Sequence, residues 1–238
     1  MASDKIGESL QTVLQSGEIE LKGQFMLGSN YTFLVHVLHD GGEVPAVYKP
    51  QRGEQPLWDF PENSLAGREV AAWLVSEALG WGIVPLTVLR EKGPYGPGSL
   101  QQFIEYDPEY HYFSFSEADR ERLRIVALFD HLTNNADRKG SHVLIENGTG
   151  RLFAIDHGLC FNAEDKLRTV IWDFAGQPIP EDLLGALAKH LPALPAALSA
   201  LLHADEIAAL EARAAKLLAT KTYPSQPKGR RAFPYPPV

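Results

Sequence analysis

Cysteine is nearly absent from this chain of 238 residues, which contains only Cys160. A single cysteine cannot form a disulfide within the chain, so the fold must rest on a packed core, which a chain of this length can build. A reducing compartment is consistent with this composition. A hydrophobic content of 45% and a charged content of 22% predict a folded, soluble protein.

Long apolar runs and an excess of positive charge are also missing. No segment approaches the roughly 20 apolar residues of a membrane-spanning helix, and the acidic N-terminus lacks the apolar stretch of a signal peptide. Lys and Arg number 22 against 30 Asp and Glu, which leaves a formal net charge of -8. Non-specific nucleic-acid binding requires a basic surface. We therefore expect no nucleic-acid partner, no integral membrane association and a cytoplasmic location.

The predicted elements change in type part-way along the chain. Alternating apolar and polar residues predict three strands between residues 19 and 50, then one helix that ends at Gly80 and two further strands. The second half is predicted to be helical at residues 116–135 and 181–220, with a hairpin around Asn147-Gly148 between them. Strands therefore dominate the first half, and helices dominate the second.

This segregation predicts an α+β protein of two lobes. We assign residues 1–105 to a β-rich N-lobe and residues 106–222 to a reduced, α-rich C-lobe. Residues 223–238 are rich in proline and basic, and they are expected to form an extended or packed terminal arm.

Two aspartates occupy positions that suit phosphoryl transfer. Asp156 ends the apolar strand LFAID before a His-Gly turn, where a carboxylate can hold Mg²⁺ or Mn²⁺. Asp137 follows a helix in a polar loop, where it can orient an acceptor hydroxyl or take its proton. Each also has an ordinary explanation, because Asp156 could cap a turn and Asp137 could pair with Arg138.

Two cationic or basic side chains follow Asp137 closely. Lys139 could contact a transferred phosphate or could simply be solvated. His142 lies five residues after Asp137, and a neutral imidazole is a better ligand for Mn²⁺ than for Mg²⁺. A turn histidine that bonds to the backbone is the alternative for His142.

The first half contributes a cation and a turn. Lys49 ends a strand, and Glu69 lies twenty residues later on the next predicted helix, so the two could form the ion pair that steadies ATP phosphates. The turn that contains Ser29 and Asn30 joins two strands, and its backbone N–H groups and hydroxyl could cover phosphates. An ordinary hairpin turn explains this short pattern equally well.

The complete order of these residues resembles the phosphatidylinositol 3/4-kinase-like family. The similarity extends from about residue 20 to residue 175. Within the family, the chain is similar in pattern to type II phosphatidylinositol 4-kinases, and it most resembles short actinobacterial-type members. The matching stretches are AVYKPQRGEQP, REVAAWLVSEALGWGIVP, GSLQQF, DHLTNNADR and AIDHGLCF.

The resemblance implies a bilobal protein-kinase-like fold and a phosphotransferase that uses ATP with Mg²⁺ or Mn²⁺. It also implies a hinge at residues 101–105 whose backbone binds adenine. The implied roles are catalysis by Asp137, Arg138 and Lys139, nucleotide binding by Ser29, Asn30, Lys49, Glu69, Gln102, Phe103, Ile104 and Glu105, and metal binding by Asp156 and His142.

The chain departs from the family pattern in three places. His142 stands where the second metal ligand is usually Asn, and Asn134 stands where an Arg is usual. The segment after Asp156 carries only Lys166 and Arg168 as obvious cations, which is a thin set for an inositol phosphate. We therefore expect a protein or a small molecule as the phosphate acceptor in preference to a lipid.

Other functions remain open at this level. The protein could be a nucleotide-binding regulatory module with little catalysis, or it could transfer AMP on the same scaffold, because a fold does not determine its chemistry. A structural binding protein whose Pro-rich tail docks on a partner is a further alternative.

Overall fold

The structure, a computed structural model, describes residues 10–25 and 31–238. Residues 10–16 are helical and are named α1. An antiparallel sheet follows, with the strand order β1-β2-β3-β5-β4. Its strands are β1 (Glu18–Phe25), β2 (Thr32–His39), β3 (Gly42–Pro50), β4 (Thr87–Arg90) and β5 (Gly98–Gln102).

The predicted strands and the second of their turns are confirmed. Asp40 and Gly41 join β2 to β3 with φ angles of 48° and 78°, which is the left-handed geometry that a two-residue hairpin loop requires. The first predicted turn, with Ser29 and Asn30, lies outside the described residues. Alternate side chains of the sheet pack with Leu14 of α1 in one apolar cluster, formed by Phe33, Val35, Val37, Ala46, Tyr48, Val88 and Leu100.

Helix α2 (Leu65–Ala78) connects this sheet to the second half of the chain. Ala71, Ala72 and Val75 on this helix belong to the large apolar cluster of the C-terminal helices. The first turn of α2 is capped from a distance, because the Glu54 carboxylate accepts the N–H groups of Leu65 and Ala66 at 3.2 and 3.0 Å. Helix α2 is therefore held from both lobes.

The second half is mostly helical, as predicted, with one hairpin. Its elements are α3 (Glu117–Glu121), α4 (Arg124–Thr133), β6 (Val143–Ile145), β7 (Leu152–Ala154), α5 (Glu181–His190), α6 (Leu194–Leu198) and α7 (Ala204–Thr220).

Two predicted helices are shorter than expected. The helix predicted at 116–135 is divided into α3 and α4, because the chain tightens at Leu123, whose N–H donates to Arg120 three residues earlier. The Ser116 hydroxyl accepts the Asp119 N–H at 3.1 Å and caps α3. The helical stretch predicted at 181–220 is interrupted where Pro192 and Pro195 begin new turns.

The Pro-rich tail packs on the C-lobe. The Pro237 carbonyl accepts the N–H of Gly140 at 2.8 Å, and the Ala232 carbonyl accepts the Thr169 N–H at 3.1 Å. The tail thereby contacts both the loop that contains Asp137 and the segment after Asp156. No helix in residues 10–25 or 31–238 is both long and apolar enough to cross a membrane.

A buried ion pair fastens α2 to the C-terminal helices. The Arg68 guanidinium, 1% exposed, bonds the Glu206 carboxylate at the start of α7 and donates to the Cys160 carbonyl at 2.6 Å. Because Glu69 is the next residue on α2, this pair also determines where Glu69 points.

We expect Glu206→Gln to lower the free energy of unfolding by about 3 kcal/mol, because it leaves the buried Arg68 charge without a counter-charge. Urea unfolding measures the change. Glu211→Gln is the matched control, since Glu211 is exposed on the same helix and should change stability by less than about 0.5 kcal/mol. Equal losses in the two variants would contradict the assignment.

Candidate active site

Three distant segments meet at the side chain of Lys49. Its Nζ donates to Oε1 of Glu69 on α2 and, at 2.9 Å, to Oδ1 of Asp156 just after β7. The second Glu69 oxygen accepts the N–H of His157 at 3.0 Å. The pKa of the Lys49 ammonium is raised, because the attraction of Asp156 and Glu69 outweighs the opposing effect of burial. Lys49 is therefore a permanent cation in the site.

The strand period places Lys49 in this position. On β3, the buried Ala46 and Tyr48 face the core of the sheet, whereas Val47 and Lys49 line a cavity of about 330 Å³. Register with Ser99 on β5 fixes the height of Lys49 along the strand. A one-residue slip would turn its side chain into the core.

Asp156 adopts a backbone conformation that is uncommon outside glycine. Its φ is 62°, in the left-handed region that Asp and Asn tolerate better than most residues. The turn directs the chain away from β7, while the Ile155 N–H still donates to the His142 carbonyl at 2.9 Å. The pKa of Asp156 is lowered, because Lys49 and His142 outweigh the opposing effect of burial.

Asp137 lines the same cavity from the loop after α4. The loop is held by the Ala136 N–H, which donates to Leu159, and by the Asp137 N–H, which donates to Asn135 Oδ1 at 2.9 Å. The Asp137 carboxylate lies 3.4 Å from Lys139 Nζ. Burial raises the pKa of Asp137 to about 6, with a smaller contribution from Asp156 and an opposing one from Lys139.

His142 faces Asp156 across the cavity wall. Its Nε2 is 3.3 Å from Oδ2 of Asp156, and its Nδ1 accepts the Lys139 N–H at 3.4 Å. Burial lowers the pKa of His142 to about 4, so the ring is neutral at pH 7. If Nε2 bound a metal, the ring proton would have to lie on Nδ1. The 3.4 Å hydrogen bond from the Lys139 N–H to Nδ1 would then be lost.

Arg138 does not face the cavity. Its guanidinium is fully buried and bonds both oxygens of Asp130, at 3.0 and 3.1 Å. It also donates to the carbonyls of His142 (3.2 Å) and Ile155 (2.6 Å) and to Nε2 of His157 (2.8 Å). Arg138 therefore positions the residues around His142 and Asp156 without reaching a ligand itself.

The predicted hinge is brought to the cavity only in part. Gln102, Phe103 and Ile104 line the cavity, whereas the exposed Glu105 does not. The N–H groups of Gln102 and Phe103 are bonded to Leu86 and Pro45. The Ile104 N–H has no acceptor among the described residues.

One cavity-lining carboxylate was missed by sequence reasoning. Glu54 lines the cavity while it caps α2, and burial raises its pKa. A helix cap is normally sought within a few residues of the helix start, and Glu54 lies eleven residues before Leu65. No local signal identifies it. Ser29 and Asn30 lie outside the described residues.

The family follows from two comparisons. Residues 76–189 match the family described as Phosphatidylinositol 3- and 4-kinase. Protein Rv2133c of Mycobacterium tuberculosis (strain ATCC 25618 / H37Rv) is 39% identical over an alignment that covers 94% of both chains. The chain belongs to the phosphatidylinositol 3- and 4-kinase family. The resemblance inferred from the sequence motifs is thereby confirmed, and the match spans Asp137 and Asp156 but not Lys49 or Glu69.

Three solved structures share the fold of this family member. The golgi casein kinase has a TM-score of 0.57 at 17% identity, covering 91% of this chain and 75% of its own. The Helicobacter pylori proinflammatory kinase CtkA has a TM-score of 0.56 at 14% identity, and the alignment covers 88% of this chain and 94% of CtkA. The structure of hydra Fam20 with sugar has a TM-score of 0.58 at 14% identity, and the alignment covers 92% of this chain and 89% of the Fam20 chain. The predicted bilobal, kinase-like α+β fold is confirmed, and family and fold together support a kinase-like phosphotransferase.

We expect Asp137→Asn to stabilise the protein by about 1–2 kcal/mol at pH 8. The folded state raises the pKa of Asp137 from 3.8 to about 6, so holding the carboxylate charged costs stability above pH 6. Below about pH 4 the group is protonated in both folded and unfolded states, and the gain should vanish. Urea unfolding at pH 8 and at pH 3.5 measures the difference.

The exposed Glu211 provides the control, because Glu211→Gln should give no gain at either pH. Equal stabilities of wild type and Asp137→Asn at pH 8 would show that the carboxylate is well hydrated.

Proposed function

We propose that the protein is an ATP-dependent phosphotransferase that moves the γ-phosphoryl group of ATP to a hydroxyl of a protein or a small molecule. One observation carries the proposal. Lys49, Glu69 and Asp156 converge in one cavity that Asp137 and Lys139 also line. Lys49 would bind phosphate, with Glu69 as its carboxylate partner. Asp156 would bind the metal, and Asp137 would act as the base. Phosphoryl transfer requires these groups within reach of one another.

The cavity suits a nucleotide in size and lining. Its volume of about 330 Å³ is in the range of small-molecule sites. Val47, Leu144 and Ile155 supply apolar surface for a base, and the free N–H of Ile104 can donate to a ring nitrogen. The purine would therefore lie toward the hinge and the phosphates toward Lys49.

Lys49 and Asp156 would exchange partners when ATP enters. Lys49 would bind phosphate oxygens while it keeps Glu69, whose position the His157 N–H secures. Asp156, 46% exposed at its side chain, would then be released from Lys49. Its carboxylate is already ionised, because the neighbouring cation lowers its pKa.

The donor set fits a divalent cation that is shared with substrate. Mg²⁺ or Mn²⁺, when bound, supplies positive charge that screens the phosphate oxygens. Among the described residues, no group of three or more His, Cys, Asp or Glu could hold a metal by itself. Asp156 and His142 provide two ligands, which suffices where phosphates and water complete the shell.

Asp137 would orient the acceptor hydroxyl and receive its proton. The acceptor oxygen forms a bond to the γ-phosphorus, and the bond from that phosphorus to the bridging oxygen of ADP breaks. Lys139, beside Asp137, would stabilise charge on the transferred group. With its pKa raised to about 6, Asp137 is a stronger base than an ordinary carboxylate and is still ionised at pH 7.

We expect ATP incubated with the protein and Mg²⁺ or Mn²⁺ to be converted to ADP, and Asp156→Asn to lower the rate at least about 100-fold, because it removes the metal-binding carboxylate. Chromatography of the nucleotides measures this. Asp182→Asn, at an exposed carboxylate on α5, should retain the wild-type rate.

Release of AMP in place of ADP would redirect the proposal to adenylyl transfer. ATP binding without turnover in the presence of either Mg²⁺ or Mn²⁺ would favour a regulatory module. ADP formation that is unaffected by Asp156→Asn would remove Asp156 from the site.

We expect His142→Asn to shift the ratio of Mn²⁺- to Mg²⁺-supported turnover toward Mg²⁺, by about tenfold, because an amide oxygen suits the harder ion and an imidazole the softer one. Turnover with each metal at matched concentrations gives the ratio. Ser141→Ala, at the neighbouring cavity residue, should leave it unchanged. An unaltered ratio in His142→Asn would show that the ring does not bind the metal.

A further inference from the structure

Two cations at the segment after Asp156 are already paired with carboxylates. Lys166 Nζ lies 2.9 Å from Glu164 and 3.4 Å from Asp59. Arg230 of the tail bonds Asp165 at 2.5 Å and donates to the Leu167 carbonyl at 2.7 Å. These two cations hold the segment in place and are not free to bind an anion.

Arg168 differs from them. Its side chain is half-buried and forms no hydrogen bond, ion pair or ring contact with any residue in the described part of the chain. Every other buried or half-buried arginine there has a hydrogen-bond acceptor: Arg68, Arg90, Arg120, Arg124, Arg138, Arg213 and Arg230. No nitrogen of the Arg168 guanidinium is among the buried, unpartnered polar atoms of the described residues, so the group is reachable from solvent and open to an anion.

The backbone places Arg168 beside the proposed base. The Arg168 N–H donates to the Asn135 carbonyl at 2.9 Å, and the Arg138 N–H donates to the Arg168 carbonyl at 3.0 Å. These two bonds bracket Asp137 in the sequence. The positive charge of Arg168 is also among the influences that lower the pKa of Asp137, against the larger effect of burial.

We propose that Arg168 is an anion-binding subsite for the acceptor, and that the acceptor is a small hydroxyl compound with one carboxylate or phosphate group. The proposal rests on the proposed function. The guanidinium would bind the anionic group in a bidentate manner while the hydroxyl contacts Asp137. Arg168 can bind one anionic group, since of the nearby cations in the described part of the chain Lys166 and Arg230 are ion-paired and Lys139 lies beside Asp137.

The surrounding charges favour a small acceptor over an acidic protein segment. Glu164 and Asp165 lie within four residues of Arg168, and their side chains are 77% and 74% exposed. Asp59, Glu164 and Asp165 already balance the charges of Lys166 and Arg230, so the segment offers no excess of positive charge to a peptide with several anionic groups. A compound with a single anionic group needs only the guanidinium of Arg168.

The first experiment compares acceptors that differ in charge. Wild type, Arg168→Gln and Lys166→Gln are each incubated with ATP, metal and one of glycerol, glycerol 3-phosphate, glycerate or an acidic serine peptide. We expect the two anionic compounds to be phosphorylated with a higher kcat/KM than glycerol by wild type. Arg168→Gln should lose at least about tenfold with the anionic compounds and little with glycerol, as for one charged hydrogen-bonded contact. Lys166→Gln should keep the wild-type preference.

The second experiment needs no turnover. Phenylglyoxal modifies free guanidinium groups, and peptide mapping by mass spectrometry reports the rate at Arg168. We expect glycerol 3-phosphate, without nucleotide, to protect Arg168, and glycerol not to protect it. The exposed Arg52, whose modification should be insensitive to either compound, is the internal control.

The outcomes separate this proposal from the proposed function. Equal use of glycerol and the anionic compounds, or an Arg168→Gln variant with wild-type preference, overturns the subsite. Selective use of an acidic serine peptide overturns the small-molecule class. If no mixture converts ATP, the proposed function fails and the protection experiment decides the subsite: selective protection of Arg168 supports it, and its absence overturns it.

Discussion

The buried guanidinium of Arg138 is the contact on which the arrangement of the site depends. From one fully enclosed position it bonds Asp130 on α4 and the carbonyls of His142 and Ile155. These carbonyls belong to the two chain segments that present His142 and Asp156. Because the interior is closely packed and the guanidinium is a rigid planar fork, this side chain reinforces the spacing that the Ile155 N–H and His142 carbonyl bond also sets between those segments.

A second buried cation performs a comparable task for the N-lobe. Arg68 joins α2 to α7 and to the Cys160 carbonyl, so that the neighbouring Glu69 is held toward Lys49. The two arginines thus fix the cation and the carboxylates of the site from opposite sides. The site is assembled in the protein alone, which lowers the ordering cost of binding a ligand.

Much of the fold was predictable, because its elements carry local signals. The strand alternation and the hairpin loop at Asp40-Gly41 identified β1 to β3 correctly, and the Ser116 cap marked α3. The helix interruption at Leu123 was not predicted, because apolar spacing continues across it. The interruptions at Pro192 and Pro195 were also missed, although proline is a local signal for the start of a new helix. Glu54 and Arg138 were beyond prediction for a related reason, since their partners are distant in the chain.

The sequence by itself determined the kinase-like order of Lys49, Glu69, Asp137 and Asp156, and with it the family, because residue type and spacing carry that pattern. Only the tertiary structure decided which cations of that pattern are free. Lys166, Arg138 and Arg168 are equivalent in the sequence as positive charges near the loop that contains Asp137. Folding pairs the first two with carboxylates and leaves Arg168 without one among residues 10–25 and 31–238, since pairing depends on distances that no local rule contains.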